Sequence, residues 1–301
     1  MNATIQLHEL PLPGLREDNP RDFLAALGLL RLFGHQWPDS LPALFWSEET
    51  GIPVLLLVIE PQQDWGIRLW ELLLEWKHSE CNPFGHGKIE SVEPEIFRSL
   101  LRVESDRSKL HARFYASLAA QIPHEKSGRR SEFIIESANR SVLKGIDDLL
   151  GHKKNVPNLA ADFLGTSIVR EVSNTSRWHP AEYQSAAYAS TDPKENKHCD
   201  RLSLNIVALF GLTYFPAVDT ARGRKTPGFR RLKKVPEFSW PVWSSPLREE
   251  ELGSLLHHPA IHDEFTSAAD LKRMGIYQVW RSRKFCPDSK NDYFSTAQPT
   301  F

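Results

Sequence analysis

The densest concentration of chemically usable side chains in the 301-residue chain lies between Ala221 and Val235, which reads A-R-G-R-K-T-P-G-F-R-R-L-K-K-V. Arg222, Arg224, Lys225, Arg230, Arg231, Lys233 and Lys234 put seven positive charges into thirteen residues, with no acid among them. At the centre, Thr226-Pro227-Gly228-Phe229 has the composition of a type II turn. Proline sets φ at its second position and glycine accepts the positive φ at its third. The turn predicts that two basic arms fold back on each other as a hairpin or long finger. Such a finger suits a nucleic-acid backbone, because each phosphate it neutralises releases condensed counterions. Phe229, Phe238, Trp240 and Trp243 flank it, either to stack on bases or to anchor it. A solvated basic loop of no special role is the plain alternative.

Two smaller basic clusters accompany this segment. Lys126, Arg129 and Arg130 flank Gly128, and Arg281, Arg283 and Lys284 lie near the C-terminus. On a strand, Arg281 and Arg283 share a face with Tyr277 and Val279. Each cluster alone reads as a solvated face; together with the finger they are able to line a groove. The loop Ser173 to Pro180 offers Asn174, Ser176 and Arg177 as base readers, since asparagine pairs with adenine edges and arginine with guanine edges. Capping and turn formation use the same side chains equally well.

Other chemistry finds little support. Cys81 and His86, His198 and Cys199, and His257, His258 and His262 are the closest approaches to metal ligands, but no CxxC or HExxH spacing accompanies them. Asn82 to Lys88 lacks the spacing of a phosphate loop, and no GxSxG elbow occurs. No catalytic residue, metal or other cofactor is expected, and the chain reads as a binding protein rather than an enzyme. The alternatives are a metal-dependent nuclease with a scattered site, and a protein-interaction scaffold that binds no nucleic acid.

The elements that must position these residues follow from periodicity. Asn19-Pro20 reads as a cap and first turn, Phe23, Leu27, Leu30 and Phe33 follow at helical spacing, and Gly34 suits the stop. Leu44–Trp46 and Pro53–Ile59 read as strands against which this helix packs. Helices are predicted over about 63–77 and 108–121, with further ones over 137–150 and 157–164. Phe133–Glu136 suits a short strand. Residues 166–193 lack a period and suggest an ordered loop with a short helix near 181–189. Leu202 to Phe215 is apolar enough for either a buried strand or a buried helix. Phe238–Trp243 suggests a strand or extended edge, Ser245-Pro246 a helix start, and 276–285 a strand. The fold class is therefore α+β, a mixed sheet with packed helices and a helix-rich second part. A division into an N-terminal part, 1–150, and a C-terminal part, 151–301, carrying the basic finger is the working boundary.

With 41% hydrophobic and 25% charged residues the chain has the composition of a folded globular protein. Residues 1–100 hold seven Lys/Arg and fifteen Asp/Glu, so the remainder is basic although the net charge is −1. An acidic front and basic back suggest a polarised molecule, unless folding mixes the two. An odd cysteine count of three without a CxxC pair favours a reducing cytoplasm over a disulfide scaffold. No secretory signal is visible at the N-terminus, and no apolar run approaches the roughly 18 residues of a membrane span.

Three stretches carry a family resemblance. They are N-P-R-D-F-L-A-A-L-G-L-L-R-L-F (19–33) with Trp46-Ser47 after it, the segment 177–193 with L-N-I-V-A-L-F-G-L (204–212), and F-R-R-L…W-P-V-W-S-S-P-L (229–247). The chain resembles the large-subunit proteins of type I-G CRISPR effector (Cascade) complexes, formerly called type I-U. The resemblance implies a non-catalytic subunit of a guide-RNA surveillance complex. Such a subunit helps recognise the short motif flanking the target (the PAM) in double-stranded DNA, holds the 5′ end of the guide RNA beside other subunits, and helps recruit a helicase-nuclease. The resemblance assigns no individual residue; the site residues above rest on their own chemistry.

Overall fold

The computed structural model describes residues 6–78, 94–120, 130–135, 150, 159–171, 176–183, 199–220, 223–233, 235–263, 266–286 and 292–301. Its organising element is α1, Pro20–Gln36. The Asn19 side chain accepts the Arg21 N–H at 3.0 Å, and Pro20 takes the first helical position, where no donor is needed. Gly34 does not end the helix. Two more residues follow, and the Trp37 N–H closes on the Phe33 carbonyl at 2.8 Å. Every residue from Pro20 to Phe33 is buried, so the helix has no solvated face along that length and is a central helix rather than a surface one.

Its main partner comes late in the chain, after several other elements. These are β1 (His8–Pro11), β2 (Ala43–Trp46), β3 (Pro53–Leu57), α2 (Trp65–His78), α3 (Pro94–Arg107), α4 (Lys109–Leu118), α5 (Leu159–Phe163), β4 (Arg170–Glu171) and β5 (Cys199–Asp200). The apolar run that suited strand or helix folds as α6, Leu202–Gly211, buried from Ser203 onward. It lies so close to α1 that glycine is needed at both contacts. A Cβ on Gly28 would stand 2.0 Å from the Val207 carbonyl oxygen, and one on Gly211 would stand 2.0 Å from that of Leu24. Backbone cannot give way as a flexible side chain can. Gly28→Ala is therefore expected to cost about 3 kcal/mol in denaturant unfolding; an unchanged midpoint would mean that the two helices do not meet there.

The rest of the chain forms β6 (Val218–Thr220), β7 (Gly223–Lys225), β8 (Phe229–Leu232), β9 (Val235–Trp243), β10 (Leu247–Arg248), α7 (Glu249–Leu256), α8 (Pro259–His262), α9 (Ala268–Arg273), β11 (Ile276–Phe285), β12 (Tyr293–Phe294) and β13 (Gln298–Pro299). One sheet runs β1-β3-β2-β10; another runs β12-β11-β9-β8, with β13 also on β11. Two small pairs, β4 with β5 and β6 with β7, stand apart. The class is α+β. Every described strand pair is antiparallel, which corrects the expected mixed sheet. Parallel neighbours need long crossovers, whereas β2–β3 and β8–β9 here are joined by short turns.

Phe23 lies where the two larger sheets meet, its ring 5.9–6.4 Å from those of Trp46, Phe238, Trp240 and Trp243. The Trp243 indole donates to the Leu44 carbonyl at 2.8 Å, and the Trp240 indole to the Glu17 carbonyl at 2.9 Å. Residues on both sides of position 150 share this core, and β10 completes the N-terminal sheet. Pairing of Leu247 and Arg248 with Leu44 and Ala43 also explains why α7 begins at Glu249 and not at Ser245-Pro246. Three glutamates then occupy its first turn, where the helix dipole favours negative charge. The short strand expected at Phe133–Glu136 is a turn over its described part, with Phe133, Ile134 and Ile135 all buried and the Ile134 N–H bonded to Ser131. The helix expected over 137–150 lies outside the described residues except for Leu150, as does that near 181–189 beyond Tyr183. No described helix is long and apolar enough to cross a membrane.

A buried polar chain ties three parts of the sequence to α1. Arg21 donates to Asp22 at 2.6 and 2.8 Å and pairs with Asp200. Asp200 in turn accepts from the Asn205 amide at 2.9 Å, and Ser176 donates to the Asn205 carbonyl at 2.7 Å. Burial works against the Arg21 charge, but the two carboxylates outweigh it and hold the guanidinium more firmly charged than an ordinary arginine.

Candidate nucleic-acid interface

The turn at Thr226–Phe229 forms as its composition predicts. Gly228 has φ +83°, and the Phe229 N–H donates to the Thr226 carbonyl at 3.2 Å. The two basic arms do not pair with each other, which corrects the expected finger. β7 pairs with β6 and β8 pairs with β9. The cause is apolar. Phe229 stacks on Phe238 at 5.4 Å and meets Phe133 edge-on at 4.8 Å, drawing β8 onto the sheet. Phe238, Trp240 and Trp243 are fully buried, so they anchor the segment and cannot reach a base.

Pairing of β8, β9 and β11 creates a row of charge across one sheet face. The register puts Arg230 opposite Glu237 and Glu237 opposite Arg283, with Arg281 opposite Ser239 in the next row. Glu237 Oε1 accepts two bonds from Arg230, at 2.5 and 2.7 Å, and its Oε2 accepts Arg283 Nε at 3.1 Å. Burial opposes the Glu237 charge, yet the hydrogen bonds from Arg230 and Arg283 outweigh it and hold the carboxyl below the ordinary glutamate range. A depressed carboxyl contributes stability that is complete above its unfolded value and is lost as pH falls through the folded one. Glu237→Gln is therefore expected to flatten the acid limb of unfolding by about 1 kcal/mol; an unaltered limb would place the acid sensitivity elsewhere. Arg230 and Arg281 also donate to the carbonyls of His262 and Asp263 at 3.4 and 3.1 Å, fastening the sheet to the end of α8.

These three arginines and Glu237 line a cleft of about 770 Å³, with Tyr183, Phe285 and Phe294 as its aromatic wall. A second cleft of about 430 Å³ lies beside it, sharing Phe285. Arg130, Arg231 and Lys284 line that one, against Glu132 and Asp292. Arg231 pairs with Glu132 at 2.9 Å, and Lys284 donates to the Glu132 carbonyl at 3.0 Å and lies 3.4 Å from Asp292. Burial holds the Lys284 ammonium below the ordinary lysine range despite those acids. Among the described residues, the two clefts together present six cations to three carboxylates. Of the six, Arg231 and Arg283 keep the most solvent access, with side chains 64% and 59% exposed. Lys225 and Lys233 are exposed as well. An arginine held through one nitrogen by a carboxylate still has donors to offer to a phosphate oxygen.

Two of the three expected base readers, Ser176 and Arg177, are buried. Ser176 is buried and its hydroxyl is used by Asn205. Arg177, 8% exposed with φ +59°, lies with its guanidinium 5.0 Å from the Tyr293 ring centre. The next residue explains both: Trp178 is fully buried and its indole donates to the Phe133 carbonyl at 2.8 Å, pulling the loop inward. Asn174, Lys126, Arg129, Arg222 and Lys234 lie outside the described residues, and the backbone register sets Arg224 opposite Asp219. The weaker expectation that Arg281 and Arg283 join the basic segment in a groove holds, since both line the cleft beside Arg230. Glu237 was missed as the hub. The period-2 alternation of β9 marks it as facing away from Phe238 and Trp240, but only strand pairing puts it between two arginines.

Cys81, His86 and His198 lie outside the described residues, and the histidines of the later cluster have backbone work. His257 bonds the Tyr214 carbonyl at 2.7 Å, His262 that of Leu256 at 3.3 Å, and His258 caps α8. No group of three potential metal ligands occurs among the described residues. No protein-family model matches the chain, and neither a curated protein nor a solved structure matches it significantly.

Proposed function

We propose that the protein is a non-catalytic, nucleic-acid-binding subunit of a cytoplasmic CRISPR RNA-guided surveillance complex. The observation that carries this reading is the pair of adjoining clefts in which, among the described residues, cations outnumber carboxylates two to one, with Arg231 and Arg283 open to solvent. In such a complex base pairing reads the target sequence, so the protein needs only to grip backbone and read a short flanking motif. Arg231, Arg283, Lys225 and Lys233 would take phosphates, with Arg222, Arg224 and Lys234 extending the same basic segment. Glu237, itself held by Arg230, would orient Arg283 through fixed hydrogen bonds. Guide RNA, duplex target DNA, the other subunits and a recruited helicase-nuclease are the partners this reading names.

The test is affinity purification of the tagged chain from its native cell, followed by RNA sequencing and mass spectrometry. Short repeat-derived RNAs that co-purify with several other proteins are the expected result. One protein partner and no nucleic acid would sink the reading. Divalent-metal-dependent cleavage of DNA or RNA by the purified chain would overturn its non-catalytic part.

A further inference from the structure

A third pocket, apart from the two sheet clefts, lies between the end of α1 and the start of α2. It holds about 230 Å³ and is walled by Phe33, Trp37, Trp65 and Ile59. The Phe33 ring centre is 4.8 Å from that of Trp37 and 5.4 Å from that of Trp65, so the half-buried Trp37 is backed by two buried rings. Asp39 and Glu60 stand among the lining residues and are exposed, and among the described residues no lysine, arginine or histidine lines the pocket. The C-terminal end of α1 and the N-terminal end of α2 both border it. Their partial charges are opposite in sign and offset each other, which leaves the two carboxylates to set the local field. Around it, Leu41 and Ile59 leave 46% and 53% of their surface in solvent.

We infer that this pocket takes a lysine or arginine side chain presented, between apolar residues, by another protein. Charge and shape argue for the same occupant. A cation over the half-buried Trp37 ring gains from the ring quadrupole, its aliphatic stem covers apolar wall, and the carboxylates at the rim attract its head. An acidic side chain would face Asp39 and Glu60 with nothing to neutralise it. The inference stands apart from the nucleic-acid reading, because none of the cations in the sheet clefts borders this pocket.

The test uses the full chain and fluorescein-labelled heptapeptides of the form Ala-Ala-Leu-X-Leu-Ala-Ala, with X as Arg, Lys, Leu or Glu, read by fluorescence polarisation. Peptides with X as Arg or Lys are expected to bind with Kd below about 1 mM and to lose at least about tenfold on the D39K/E60K protein. W37L should weaken them too, while a K225Q/R231Q/K233Q/R283Q protein should bind them unchanged. Equal binding of the leucine peptide, no binding by any of the four, or indifference to D39K/E60K would each overturn the inference. Loss on the quadruple glutamine variant would also overturn it, by moving the binding to the sheet clefts.

Discussion

Replacing Lys225, Arg231, Lys233 and Arg283 together by glutamine is expected to weaken binding to a 30-base-pair DNA duplex by two to three orders of magnitude at about 0.15 M salt. The size follows from counterion release: each phosphate contact contributes a slope of roughly 0.9 in log K against log salt, or about 1 kcal/mol at that concentration. Losing four such contacts should flatten the slope by roughly three to four, whatever the duplex sequence. The substitutions spare the fold. Lys225 and Lys233 are exposed, Arg283 leaves Glu237 with its two bonds from Arg230, and Arg231 leaves Glu132 with Lys284. Fluorescence anisotropy between 50 and 300 mM salt, with the thermal midpoint as a control, reads both quantities. An unchanged slope with unchanged affinity would remove the sheet clefts from nucleic-acid binding.

Asp200→Ala should be the most damaging single change to stability away from the helix contact. Arg21 is almost wholly buried, and losing Asp200 leaves it with Asp22 alone while the Asn205 amide loses its acceptor. Removing one partner of a buried pair costs about 3–5 kcal/mol, since the remaining charge is neither solvated nor fully compensated. Arg21→Met with Asp200→Leu should cost less than the two single changes added together, because the pair leaves jointly. Denaturant unfolding of the four proteins closes the cycle. An additive double variant would mean that the two side chains act independently and that the observed pairing carries no coupling.

Much of the helical framework was legible before any tertiary contact was known. The Asn19-Pro20 cap, the stripe of Phe23, Leu27, Leu30 and Phe33, and the helices beginning at Trp65 and Lys109 follow from local spacing, and the structure has them. The strands expected at 44–46, 53–59 and 276–285 form at 43–46, 53–57 and 276–285. The Leu202–Gly211 run was not, because an unbroken apolar stretch has no period to separate helix from strand. Gly34 misled for a related reason. Glycine permits a helix to stop without requiring it, and here the closing bond from Trp37 to Phe33 lies beyond it.

The candidate site divides in the same way. The sequence by itself determined that Thr226–Phe229 turns, that the flanking arms are basic, and that Arg281 and Arg283 share a strand face, since these depend on neighbours a few residues apart. Only the tertiary structure decided what the turn joins. Burial of Phe229 against Phe133 and Phe238 was worth more than an isolated basic hairpin, whose like charges would repel. It also decided that Ser176 and Arg177 face inward, because the buried Trp178 indole bonds a carbonyl 45 residues away in the chain. Pairing of β9 with both β8 and β11 set Glu237 between arginines 53 residues apart. Charge and periodicity travel with the local chain, but the partner of a charge is chosen by long-range burial, and no spacing along the sequence encodes that choice.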